Sequence, residues 1–139
     1  MNQPTPEWRD LSPDEKDLLE NLLKTDFPGR DALAKQAEHA KVRMIDGPAL
    51  RSQAINDHLE FNVGNEHMAE VIHSVPVEAG CKDTTDGMTI HALLHVFQGV
   101  IREIEFYKDD LSPILRMPPG KQFKQVFFQT PSGVEYKLL

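Results

Sequence analysis

A single cysteine, Cys81, excludes a disulfide framework and any structural zinc site built on paired cysteines. Long apolar runs are missing as well. The longest, around Ile90 to Phe97, is broken by His91 and His95 and falls short of the roughly 18–20 residues that span a bilayer. Met1 to Glu7 has no basic start and no apolar stretch, so it reads as neither a signal nor a transit peptide. The expectation is a cytoplasmic protein without membrane contact. Basic charge is in deficit: 15 Lys plus Arg stand against 22 Asp plus Glu, a net charge of −7. Such a chain is repelled by a phosphate backbone, whose neutralisation supplies most non-specific nucleic-acid affinity. The densest basic run, Lys121 to Lys124, holds only two lysines and no interleaved arginine–aromatic cluster follows it, so no nucleic-acid partner is expected. Phosphate-cradling loops of the G-x-x-x-x-G-K-[ST] and G-x-G-x-x-G types are absent, as is the G-x-S-x-G nucleophile elbow. No cofactor is therefore expected.

What is present is an ordinary folding composition, 40% hydrophobic over 139 residues, enough for one domain with one core. Residues 1–10 carry two prolines and read as a flexible N-terminal arm in which Trp8 folds back over the first helix; residues 11–139 read as a single domain. Ser12-Pro13-Asp14-Glu15 is a helix start: serine caps, proline takes the first helical position, and Glu15 completes a capping box. Leu18, Leu19, Leu22 and Leu23 make an apolar stripe at helical spacing. Pro28 stops that helix, and a second runs from about Arg30 to His39 with Leu33, Ala37 and Ala40 inward, giving a helical hairpin.

From Val42 the period changes to two. Val42 and Met44 start a strand ended by the turn signal Asp46-Gly47-Pro48. Leu59, Phe61 and Val63 alternate with polar residues as a half-buried strand. Asn65 to Ser74 is ambiguous, with Met68, Val71 and Ile72 marking at most one helical turn. Val75-Pro76-Val77 reads as a strand with proline at its start or on an edge. Phe123 to Phe128 and Val134 to Leu138 read as two further strands. Phe127-Phe128 is expected in the core, with a homodimer through this C-terminal hairpin as the alternative.

Residues 88–107 fit both periods, and Gly99 favours a hairpin. A two-residue loop at Gln98-Gly99 splits the apolar residues over both faces. A three-residue loop, Phe97-Gln98-Gly99, pairs Val96 with Val100 and gathers Ile90, Ala92, Leu94, Val96, Val100, Ile104 and Phe106 on one face, interrupted by Arg102. The expected architecture is α+β: an N-terminal helical hairpin packed on an antiparallel sheet of about six strands.

That register places His91, His95, Glu103, Glu105 and Tyr107 together on the other face, with His91 opposite Glu105 and His95 diagonal to Glu103. Cross-strand neighbours lie within about 5–8 Å, so these are the candidate ligand-binding residues: a histidine–carboxylate pair can hold a proton, a ligand or part of a metal site. The same pattern is also what the wet face of an antiparallel sheet presents. On a strand His91 and His95 stand roughly 13 Å apart, too far to share an ion. A zinc site would require His91, Glu105 and ligands such as His58, His67 or His73, whose spacing matches no metal motif, so no metal is expected. Cys81 has no nucleophile signature and reads as an inert loop thiol. Asp83, Asp86, Asp109 and Asp110 read as turn acids without the spacing of a calcium loop.

At Leu22-Leu23-Lys24-Thr25-Asp26-Phe27-Pro28-Gly29, then Val75-Pro76-Val77-Glu78-Ala79, Asp86-Gly87, Leu93-Leu94, Gly99 and Glu103-Ile104-Glu105-Phe106-Tyr107, the chain resembles an uncharacterised family of small bacterial proteins, over roughly residues 10–120. Many sequences of that kind carry a cysteine–glycine run after the first strand; here Ile45-Asp46-Gly47-Pro48-Ala49 has no cysteine, so any metal role of that run does not transfer. The resemblance implies no activity. The expected function is a non-enzymatic interaction module that binds a protein with a basic surface. The alternative is a small-ligand or metal-dependent protein or enzyme acting through the His/Glu face.

Overall fold

The computed structural model describes residues 5–46 and 57–136. Two helices, α1 (Pro13–Leu22) and α2 (Arg30–Glu38), precede seven strands: β1 (Lys41–Ile45), β2 (Asp57–Asn62), β3 (Val77–Lys82), β4 (Thr89–Phe97), β5 (Val100–Lys108), β6 (Lys124–Thr130) and β7 (Gly133–Tyr136). A short 3-10 turn, Gly120–Gln122, leads into β6. All strand pairs are antiparallel, in the order β1-β2-β5-β4-β3-β6-β7. The α+β class is as expected, and the sheet has seven strands where about six were anticipated. The turn signal Asp46-Gly47-Pro48 lies mostly outside the described residues.

The start of α1 follows its sequence closely. Glu15 N–H donates to the Ser12 hydroxyl at 3.2 Å, and Ser12 N–H donates to the Glu15 carboxylate at 2.8 Å. Arg9 adds a bidentate pair to the same carboxylate at 2.7 and 2.8 Å. Arg9 also exchanges backbone hydrogen bonds with Val42 on the outer edge of β1, which satisfies part of an edge that would otherwise be open to pairing. Trp8 lies under the Arg43 guanidinium, 4.1 Å from its centroid, on β1 rather than over α1. Asn65 to Ser74 forms neither helix nor strand, and Met68 and Ile72 are exposed. Gly120 sits where α1 touches the 3-10 turn: a Cβ there would collide with the Asp14 carbonyl.

The hairpin β4–β5 departs from expectation in an instructive way. Its loop has two residues, Gln98 and Gly99, both at positive φ (51° and 80°), the combination that a type I′ turn requires. Phe97 pairs with Val100 and Val96 with Ile101, but His95 pairs with Glu103. Arg102 is thus an extra residue, a β-bulge. The objection to a two-residue loop, that it divides the apolar residues between faces, is met by the bulge. Ile101 turns inward and is 1% exposed, Arg102 turns to solvent, and Ile104 and Phe106 regain the core face. Val100, expected inside, is only half-buried.

The core lies between this face and the two helices. Leu22, Leu33, Val42, Leu59, Val77, Ile90, Leu94 and Ile104 are fully enclosed. Phe128 belongs to it as well, on an interior strand. Buried amides stitch the two layers. Gln36 of α2 accepts from Ile101 N–H at 2.9 Å and donates to the carbonyls of His67 (2.6 Å) and Gly99 (2.8 Å). Gln129 accepts from Ile72 and His73 N–H and donates to the Pro28 carbonyl. Gln125 donates to the Leu22 carbonyl and accepts from the Thr25 hydroxyl. A buried polar group left without a partner costs far more than a made bond contributes, so these amides fix α2, the 63–76 connection and the bulge relative to one another.

Gln36→Leu strands the Ile101 N–H and the His67 carbonyl, while the Gly99 carbonyl keeps its bond from Ala69 N–H at 2.8 Å. The expected loss is about 1–3 kcal/mol for each group that water cannot reach, measured by urea denaturation, together with faster amide exchange at Ile101. An unchanged midpoint would show that water replaces the amide.

Candidate functional site

Both helices pack on the core face. Among the described residues, no helix packs on the other face of the sheet. The register determines what that face displays. Arg43 stands opposite Glu60, Glu60 opposite Glu103, and Glu103 opposite His95; one row along, His58 stands opposite Glu105, Glu105 opposite Leu93, and Leu93 opposite Glu78; the next row has Tyr107, His91 and Gly80. All the sequence-predicted candidates, His91, His95, Glu103, Glu105 and Tyr107, therefore share one face. Their pairing differs from expectation by a two-residue shift of register. His91 lies opposite Tyr107 instead of Glu105, and His95 lies opposite Glu103 instead of diagonal to it.

His91 is the most constrained of them. Its Nδ1 is 2.9 Å from Glu78 Oε2, its Nε2 is 2.5 Å from Asp109 Oδ1, and its ring stacks on Tyr107 at 4.7 Å between centroids and 15° between planes. A carboxylate only accepts, so both ring nitrogens must donate, and the ring that satisfies both is the imidazolium. Burial opposes that charge, but the bonds from Asp109 and Glu78 outweigh it and raise the pKa of His91 above the ordinary histidine value. The opposite shift operates on Tyr107: burial, then the charges of Glu78, Asp109 and Glu105, push its phenol up and keep it protonated.

The other pairs are looser. His95 Nε2 meets Glu105 Oε1 at 2.8 Å, Arg43 Nε donates to Glu60 Oε1 at 2.8 Å, and His58 Nε2 lies 4.0 Å from Glu60 Oε2. Glu103 makes no hydrogen bond or ion pair among the described residues. Glu78 and Asp109 were not singled out from the sequence as partners of the histidines. They come from β3 and from the turn after β5, so no spacing within the hairpin announces them.

Other candidates settle into structural positions. No group of three or more His, Cys, Asp and Glu among the described residues is arranged to hold a metal. His67 and His73 belong to the connection held by Gln36 and Gln129. Cys81 is in β3 on the core face, not in a loop. Burial, reinforced by Asp83, pushes its thiol pKa up, the reverse of what a nucleophile needs. Asp83 is a turn acid with a buried partner: Lys108 Nζ binds its carboxylate at 3.1 Å and also pairs with Asp86. The Thr85 hydroxyl and N–H, with Lys108, hold the Asp83 carboxyl at about 2, while Asp86 and Asp83 raise Lys108 despite its burial. This triad ties the β3–β4 turn to the end of β5. A groove of about 680 Å³ opens between the helices over Leu19, Leu23, Ala34 and Ala37; none of its lining residues belongs to the His/Glu face.

No described helix is long and apolar enough to cross a membrane. The model of a family described as a domain of unknown function (DUF6984) matches residues 8–118, in keeping with the uncharacterised family expected from the sequence. No curated protein and no solved structure matches the chain.

Two pH dependences follow. Because His91 is raised, its contribution to stability is complete below the unfolded value near 6.5 and is lost as pH rises through the folded value. Urea midpoints should therefore fall from about pH 6 to about pH 9, and His91→Gln should flatten that slope. Asp83 has the opposite sign: its contribution is present above the ordinary carboxylate range near 4 and is lost as pH falls toward 2. Asp83→Asn should lower the midpoint at neutral pH and flatten the acid limb below about pH 4.

Proposed function

The chain belongs to the DUF6984 family, a domain of unknown function, and from that premise we propose that it is a non-enzymatic interaction module whose helix-free sheet face docks a protein with a basic surface. The observation that carries this reading is the charge left on that face. Glu60, Glu78, Glu103, Glu105 and Asp109 lie on it or at its rim, with Arg43 engaged by Glu60 and the His91 imidazolium by Glu78 and Asp109, while Lys82 and Lys124 stand on the β3 and β6 side of the same face, so the acidic excess is centred on β2, β5 and β4. A rigid surface with a local excess of one sign speeds encounter with the opposite sign, and its interspersed charges fix the register of the complex. A seven-stranded sheet also supplies a broad surface that changes little on binding.

The competing reading is a ligand-binding protein or enzyme built on the same histidines. It finds support in the pairing of His91 with two carboxylates on a half-buried ring. Acid–base work requires a nitrogen that exchanges its proton with substrate, and in the imidazolium state both nitrogens of His91 are held by the protein's own carboxylates. The docking reading uses the arrangement as it stands.

The test is native mass spectrometry of the protein isolated gently, without chelators, from the cells that make it, beside the double variant Glu103→Lys/Glu105→Lys. The expected result is a stoichiometric basic protein that dissociates as salt is raised and is missing from the variant. A lone chain or a second copy of itself at every salt concentration would overturn the reading, and a retained small molecule or metal on a lone chain would favour the competing one.

A further inference from the structure

Resting on that docking reading, we propose that His91 is a proton-dependent gate on the acidic face: protonated, it occupies Asp109; deprotonated, it yields the Asp109 carboxylate to a cation of the partner. The geometry supplies both states. Glu78, at the Nδ1 edge of the ring, is 11% exposed in its side chain, whereas Asp109, at the Nε2 edge, is 50% exposed. A neutral imidazole has one N–H and can donate to only one carboxylate. The carboxylate with less access to water depends more on that single donor, so the remaining N–H stays on Glu78 and Asp109 is released to solvent.

The groups around the ring all bear on this choice. Glu78 approaches from β3, Tyr107 and Asp109 from β5 and the turn after it, and Glu105 from two residues before Tyr107. Two exposed lysines share this face on the side away from Asp109: Lys82, diagonal to His91 on β3, and Lys124 of β6, beyond the side-chain-free Gly80. Tyr107 keeps its proton, held by burial and the neighbouring carboxylates, so it stacks on the ring in both states without adding charge. Loss of the His91 proton removes a positive charge from the face and frees a negative one at its rim. Both changes strengthen attraction to a basic surface, and by linkage the docking of such a surface releases a proton from His91.

The sign is opposite to that for stability. As pH rises through the raised pKa of His91, the isolated fold weakens while the face becomes a better receptor.

The test uses an arginine-rich peptide as the probe, with the full chain, at constant ionic strength between pH 6 and about pH 9, a range in which arginine stays charged. Affinity should rise about threefold to tenfold with pH, the size of one or two exposed charge pairs. Calorimetry in buffers of different ionisation enthalpy should report proton release on binding. Asp109→Asn, which removes the released carboxylate, should hold affinity near the low-pH level throughout, and His91→Gln should abolish the proton release. Glu103→Lys/Glu105→Lys should weaken peptide binding at every pH, while a control reversal on the helical side, Glu20→Lys/Glu38→Lys, should weaken it less. Binding that is lost in the face variant yet flat with pH in the native chain would overturn the gate and leave the docking face standing. No binding at any pH, or equal loss in the face and control variants, would overturn both.

Discussion

One inserted residue, Arg102, sets what the central hairpin shows to each side of the sheet. Without it, the two-residue loop at Gln98-Gly99 forces every residue of β5 after position 102 onto the opposite face, because strand side chains alternate with a period of two. With it, Ile104 and Phe106 join Ile101 on the core, while Glu103, Glu105 and Tyr107 line the helix-free face. The bulge also requires the Ile101 N–H to find a partner outside the ladder, and Gln36 provides it. The position of α2, the conformation of the turn and the content of the polar face are thus consequences of a single local irregularity. Gly99 closes the arrangement: at φ 80° it holds a conformation that resists side chains, and a Cβ there would meet the Ala69 carbonyl at 2.9 Å.

His91 is the corresponding constraint on the polar face. Its bonds cross from β4 to β3 and to the turn after β5, so one side chain couples three consecutive parts of the sheet. A partly buried charge is tolerated only where partners compensate for lost solvation, and two carboxylates do so for the imidazolium. The reverse also holds: Glu78, nearly buried, has the His91 N–H as its partner, a donor whose ring can lose its charge. This is the physical source of the proton sensitivity, and it requires no conformational change beyond the exchange of one hydrogen bond.

Much of this was legible in the sequence. Ser12 to Glu15 specifies a cap that forms as written, the leucine stripe is the buried side of α1, and alternation locates most strands and assigns most hairpin residues to the correct face, whereas the strand expected at Val75-Pro76-Val77 begins only at Val77 and runs to Lys82. The register was not legible. A shift of two residues leaves every inward side chain inward, so the hydrophobic pattern cannot distinguish His91 opposite Glu105 from His91 opposite Tyr107. Bulges have no compositional signature, and Arg102 appeared only as an interruption of an apolar face. The partners of His91 were hidden for a different reason: Glu78 and Asp109 reach it through tertiary pairing. Likewise Gln36, Gln125 and Gln129 have the look of surface residues in the sequence, yet each is nearly or fully buried. Segment 65–74 gave no clear period because its place is fixed by those amides and not by an apolar face of its own.

The chemistry of the two faces differs in kind. On the helical side, polar groups in the core are satisfied mainly by carboxamides, which carry no titratable proton. The charged exception, Lys108 with Asp83 and Asp86, has its two buried members driven away from neutrality, Lys108 upward and Asp83 down to about 2. Neither changes charge when pH moves through the physiological range. On the helix-free side, His91 is bound to its carboxylates in a way that raises its pKa from the value nearest neutrality among side chains. The packing that holds α1, α2 and the bulge is therefore insulated from the proton, while the docking face responds to it. A sensor that shared groups with the core would unfold as it switched. Placing it across strands β3, β4 and the end of β5, over a core built on apolar contacts and amides, lets the surface charge change while the register that defines the surface stays fixed.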